Sequence, residues 1–90
     1  MPEVTRVVAL SNKYGLHARP ASRLVGIANR YRAAVTITLG GRAVNAKSIM
    51  EVLTLAATAG SELTIRGDGE DADQAVSEIA ALVDGKFGEE

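Results

Sequence analysis

Cysteine is absent from the 90 residues and histidine occurs once, as His17. The first absence excludes disulfides and thiolate metal sites. The second leaves no pair of imidazoles from which to build a metal centre, and no carboxylate cluster is placed to help His17, so neither metal nor cofactor is expected. Tryptophan is missing, the aromatic fraction is 3%, and the single phenylalanine, Phe87, stands near the chain end. The core is therefore expected to be aliphatic, built from Val, Ile, Leu and Ala. No apolar run approaches membrane-spanning length, and the N-terminus lacks the basic and apolar regions of a signal peptide. A cytoplasmic protein without membrane insertion is the expectation. An excess of either charge is also lacking: ten Lys and Arg against eleven Asp and Glu leave a net charge of −1. Nothing there calls for nucleic acid or an anionic membrane as partner. The one charge block, Asp68-Gly69-Glu70-Asp71-Ala72-Asp73, is expected to solvate a loop and charge a helix start.

What is present is a hydrophobic fraction of 47% in regular patterns. Residues 1–90 are expected to form one domain, burying roughly 60–65% of the surface exposed by the unfolded chain. Val4 to Leu10 is rich in β-branched residues and reads as a strand. From Ala18 to about Tyr31 the spacing is helical, with Ala21, Leu24, Val25, Ala28 and Tyr31 on one stripe. Pro20 is tolerated only in the first turn, where its missing N–H has no intrahelical partner to lose. His17 must then lie at the helix boundary. Val35, Ile37 and Leu39 alternate with Thr36 and Thr38, and Gly40-Gly41 predicts a primed two-residue turn into a strand over 42–45. Ser48 and Glu51 match a capping box, which predicts a short helix to about Ala57, closed by Gly60. Glu62 to Arg66 alternates again, with Leu63 and Ile65 inward. A last helix is predicted from about Ala72 to Val83, stopped by Gly85. One-sided helices and alternating strands are most economically combined as an α+β open-faced sandwich, a single sheet covered by helices on one face.

His17 is the residue with chemistry to offer. A helix N-terminus presents unpaired N–H groups and about half a unit of positive charge, both favourable to a bound phosphate. The same field disfavours imidazolium and keeps the ring nucleophilic near neutral pH. Arg19 supplies a guanidinium able to pair with phosphoryl oxygens. A phosphoryl group formed here would be stabilised yet remain on a reactive nitrogen, as a carrier needs. The competing reading is that His17 only caps the helix, in a module that binds without being phosphorylated. An enzyme is disfavoured, because a lone His beside an Arg lacks a second acid–base group or a metal.

The run Gly15-Leu16-His17-Ala18-Arg19-Pro20-Ala21 resembles in full the active-site signature of the phosphocarrier HPr family of the bacterial phosphoenolpyruvate-dependent sugar phosphotransferase system. Asn45-Ala46-Lys47-Ser48-Ile49-Met50 resembles that family's second signature, around a regulatory serine. The resemblance covers nearly the whole chain. It implies a four-stranded antiparallel sheet with three helices on one face, in the order βαββαβα. It implies that His17 accepts a phosphoryl group on Nδ1 from enzyme I and passes it to enzyme IIA domains for sugar uptake, with Arg19 stabilising the group. Ile49, Met50 and Leu53 would form the apolar docking patch for these partners, and the expected state is a monomer. Ser48 would be the target of an HPr kinase/phosphorylase. The sequence departs from the family at Glu51, where members with this regulation commonly carry glycine, and its charge would repel a phosphate on Ser48. A nitrogen-related paralogue shares the His17 chemistry but serves a different phosphorelay; Lys47-Ser48-Ile49-Met50 leans toward the sugar branch.

Overall fold

The computed structural model describes residues 3–89. Strand β1 (Glu3–Ala9) is followed by helix α1 (Ala18–Ala28), the hairpin β2 (Ala34–Leu39) and β3 (Arg42–Asn45), helix α2 (Ile49–Thr54), strand β4 (Glu62–Asp68) and helix α3 (Ala72–Asp84). A single 3₁₀ turn, Lys86–Gly88, follows α3. The four strands form one antiparallel sheet in the order β1-β4-β2-β3. Because β4 lies between β1 and β2, Arg66 stands opposite both Thr5 and Thr36, and Ile65 opposite both Arg6 and Ile37. The alternation read from the sequence is the burial pattern observed: Val8, Val35, Ile37, Val44, Leu63 and Ile65 are buried, while Thr5, Val7, Arg66 and Ala43 are exposed. The expected open-faced α+β sandwich is the observed fold.

The hairpin has the expected loop. Leu39 pairs with Arg42, and φ is positive at Gly40 but not at Gly41, the sign pattern of a II′ turn. Three expectations need correction. Helix α1 stops at Ala28 rather than Tyr31, because Arg30 and Tyr31 donate to carbonyls three residues back and Asn29 Nδ2 takes the Val25 carbonyl. Helix α2 ends at Thr54 rather than Ala57. Leu55 and Ala56 likewise bond three residues back, and Ala56 turns to a φ of 49°. The core is not wholly aliphatic either: Phe87 is fully buried and joins the main cluster. The other stripes hold, with Ala21, Leu24 and Ala28 of α1 and Ala75, Val76, Ile79 and Val83 of α3 buried. Among the described residues no helix is long and apolar enough to cross a membrane.

Candidate functional site

The loop between β1 and α1 is shaped before His17 is reached. Gly15 has a φ of 65°, and a Cβ there would lie 2.4 Å from the Ala57 carbonyl oxygen. That same carbonyl accepts from Leu16 N–H at 2.9 Å. The loop is thus held against the segment after α2 so closely that only glycine fits. Leu16, buried, anchors it from below.

His17 is the N-cap of α1, with extended backbone, and its carbonyl accepts from Ala21 N–H at 3.0 Å. Its side chain caps nothing. A capping side chain bonds the N–H of the second or third helical residue, and the third here is Pro20, which has none. The imidazole is instead 40% exposed, and its Nε2 lies 3.3 Å from the Glu89 carboxylate. Tyr14 meets the ring edge-on, with centroids 6.1 Å apart. The N–H groups of Ala18 and Arg19 have no intrahelical acceptor. Around the imidazole an open depression of about 520 Å³ is lined by Lys13, Tyr14, His17, Arg19, Arg23, Gly88 and Glu89. Three fixed cations and one carboxylate line it, a balance suited to a group of high negative charge.

The far wall of this depression comes from the chain end. Lys86, Phe87 and Gly88 have φ values of 58°, 57° and 76°. The left-handed region costs a non-glycine residue on the order of 1 kcal/mol or more. Burying the Phe87 ring contributes about 1.5–3 kcal/mol, comparable with the cost at Lys86 and Phe87 together, and the Arg23 guanidinium donates to the Phe87 carbonyl. Glu89 is thereby returned to the site. Its carboxylate also accepts from Asn12 Nδ2 at 3.2 Å, and Asn12, fully buried, donates to the Gly15 carbonyl at 2.7 Å. Burial opposes ionisation of Glu89. The hydrogen bonds from Asn12 and His17, with the nearby charge of Arg19, outweigh it and hold the carboxyl below its ordinary value.

The comparison with known families covers most of the chain but stops short of this turn. The family model described as "PTS HPr component phosphorylation site" matches residues 4–84. The chain belongs to the HPr family. Among its relatives, "Phosphocarrier protein NPr" of Shewanella violacea is 42% identical over 89 residues, covering 99% of this chain and 98% of the relative. "Phosphocarrier protein HPr" of Haemophilus influenzae is 46% identical over 69 residues, covering 77% and 81%. The crystal structure of a phosphocarrier protein HPr from Bacillus anthracis superposes with a TM-score of 0.88 at 44% identity, covering 92% of this chain and 99% of that one.

The second HPr-like motif is laid out differently from the first. Ser48 caps α2 with its side chain, Oγ accepting from Glu51 N–H at 3.2 Å. The expected capping box is only half formed: the Glu51 carboxylate reaches back to the N–H of Asn45 at 3.0 Å, not to that of Ser48. Ser48 N–H is bonded to the Asn45 carbonyl, which leaves it no need of the glutamate. Met50 and Leu53 are exposed, at 73% and 37%, while Ile49 is half-buried against the core. Sequence reasoning missed Asn12, Arg23, Phe87 and Glu89. Only Phe87 left a signal, as the sole phenylalanine beyond a helix stop; nothing local ties Asn12 or Glu89 to a histidine 72 residues from Glu89.

Proposed function

We propose that this protein is a phosphoryl carrier in which His17 accepts the group and Arg19 stabilises it. The observation that carries this reading is the imidazole at the start of α1, unused as a cap and open to a depression rich in cations. It counts against the view of His17 as a mere helix cap. The protein is then a substrate and donor for other enzymes rather than a catalyst, working in the cytoplasm between enzyme I and enzyme IIA domains. Met50 and Leu53, exposed beside half-buried Ile49 on α2, suit a docking patch for these partners.

Incubation with phosphoenolpyruvate and a general enzyme I should give an acid-labile, base-stable phosphate on the wild type and none on His17→Ala. Unlabelled wild type, or equal labelling of the variant, would refute the carrier role. Ser48 is proposed as a regulatory site for an HPr kinase/phosphorylase: a dianion at the helix start is tolerated by the fold but sits beside the docking patch. Ser48→Asp should fold normally and accept phosphate more slowly; an unchanged rate would remove the regulatory role.

The sugar branch is proposed on the Lys47-Ser48-Ile49-Met50 run. A nitrogen-related role has its own support in the 42% identity to an NPr over 99% of the chain. Offering phosphorylated protein to enzyme IIA domains of both branches distinguishes them by which domain takes the group faster.

A further inference from the structure

We propose that Glu89 is a positioning residue for the phosphoryl acceptor, holding the His17 imidazole as its Nε2–H tautomer so that Nδ1 presents the lone pair. The proposal rests on the carrier reading of His17. Its starting point is the chain end, which is built to deliver one carboxylate to one place. Three successive residues in the left-handed region, 86–88, reverse the chain after α3. Phe87 is sunk in the core, and Arg23, from α1 itself, grips the Phe87 carbonyl. Glu89 N–H closes the turn on the Lys86 carbonyl at 2.8 Å. The result is a side chain only 17% exposed although it stands near the chain end.

Both Glu89 oxygens lie 3.3 Å from Nε2 of His17. Glu89 is oriented in turn by Asn12, whose amide is set by its bond to the Gly15 carbonyl. The order of contacts is therefore Gly15, Asn12, Glu89, His17, a chain of fixed groups ending on one ring nitrogen. An ionised carboxylate accepts hydrogen bonds and donates none, so the nitrogen that faces it must carry the proton. In a neutral imidazole the other nitrogen then holds the free electron pair. Among the described residues nothing bonds Nδ1.

The chemistry follows with no proton moved. The Nδ1 lone pair attacks phosphorus as the P–N or P–O bond to the donor breaks, and the donor's leaving group departs with that electron pair. The ring, still protonated on Nε2, becomes an N-phosphoimidazolium. Its new positive charge forms beside the Glu89 carboxylate, as an imidazolium is held by a buried aspartate in hydrolase triads. Passing the group onward reverses these steps, with the same proton in place.

The test uses wild type, Glu89→Ala and Glu89→Gln, with thermal unfolding to confirm that all three fold. Nitrogen-15 NMR of His17 at neutral pH reports which nitrogen carries the proton. Wild type should show Nε2–H alone, and Glu89→Ala should show both tautomers and accept phosphate from enzyme I about tenfold more slowly. Glu89→Gln, whose carbonyl can still accept from Nε2–H, should recover the tautomer but not the full rate, since its charge is gone. If Glu89→Ala keeps both the wild-type tautomer and the wild-type rate, the proposal is wrong. The NMR arm needs no donor and judges the tautomer role by itself; absence of label on wild type would instead strike the carrier reading.

Discussion

Helix α1 starts at His17 and helix α2 at Ser48, and the two residues sit in the same backbone position with their side chains put to different uses. Ser48 turns its Oγ inward to the N–H of Glu51; His17 turns its imidazole outward to Glu89. One difference lies three residues downstream. A residue with an N–H stands there in α2, whereas Pro20 stands there in α1 and offers none to a cap. Pro20 thus removes one of the two N–H groups that a cap could use, while Gly15 and Leu16 hold the loop from behind. One helix start is closed by its own first residue. The other is held open by its surroundings, and the open one carries the reactive group.

If the surroundings hold the His17 start, the largest effect should come from Gly15. Gly15→Ala adds a Cβ 2.4 Å from the Ala57 carbonyl oxygen at a φ of 65°. Left-handed strain of about 1 kcal/mol and overpacking of about 2 kcal/mol together predict a loss of about 3 kcal/mol. Gly40→Ala is the control, with a φ of 60° and nothing within 4 Å, and should lose only about 1 kcal/mol. Urea midpoints measure both. Equal losses would mean that the loop is not held by packing against Ala57.

The comparison itself is challenged by alanine at each helix start. Ser48→Ala removes a working cap and should cost about 1 kcal/mol. His17→Ala removes no cap and should stay within about 0.5 kcal/mol of wild type. Chemical denaturation of the two variants side by side decides it, and the reverse order would show that the Nε2 contact with Glu89, rather than a cap, stabilises the α1 start.

Local pattern carried much of the fold and half of the site. Alternation at Val35, Ile37, Leu63 and Ile65, the Gly40-Gly41 turn and the stripe of α3 are properties of short segments, and each appears where the pattern put it. Pro20 located the α1 start for the same reason. What stayed hidden depends on distant pairs. The left-handed turn over 86–88 has glycine only at its last position, so Lys86 and Phe87 give no sign of it, and its stability comes from a ring buried in a core formed by every other element. Asn12 and Glu89 meet only because that turn forms. Glu51 was assigned to Ser48 because the box motif counts residues along one helix, yet the N–H it satisfies belongs to Asn45 at the end of β3.

A third helix start, Asp71 of α3, combines features of the other two, and its loss should have the least effect. Like His17 it makes no side-chain cap; like Ser48 it satisfies backbone N–H groups, here those of Arg32 and Ala33 at 2.9 and 2.8 Å in the loop before β2. The acidic block is therefore more than a solvated loop. The bond from Arg32 N–H is the main reason that the Asp71 carboxyl is held below its ordinary value; burial opposes it, and the bond from Ala33 and the charge of Lys47 add to the depression. The sign follows from linkage. A carboxyl with a depressed pKa in the folded state adds stability that is complete above the pKa of the unfolded chain, and that stability is lost as pH falls through the folded value. Glu89 is depressed in the same sense, so the wild-type curve alone does not isolate Asp71. Asp71→Asn does, because its amide cannot titrate and has one carbonyl for two N–H groups. Urea midpoints at neutral and acid pH should show wild type ahead of Asp71→Asn at neutral pH, with the gap shrinking as Asp71 is protonated. Solvent screening keeps this gap small; a gap that stays constant with pH would show that the carboxylate's charge has no part in pinning the loop.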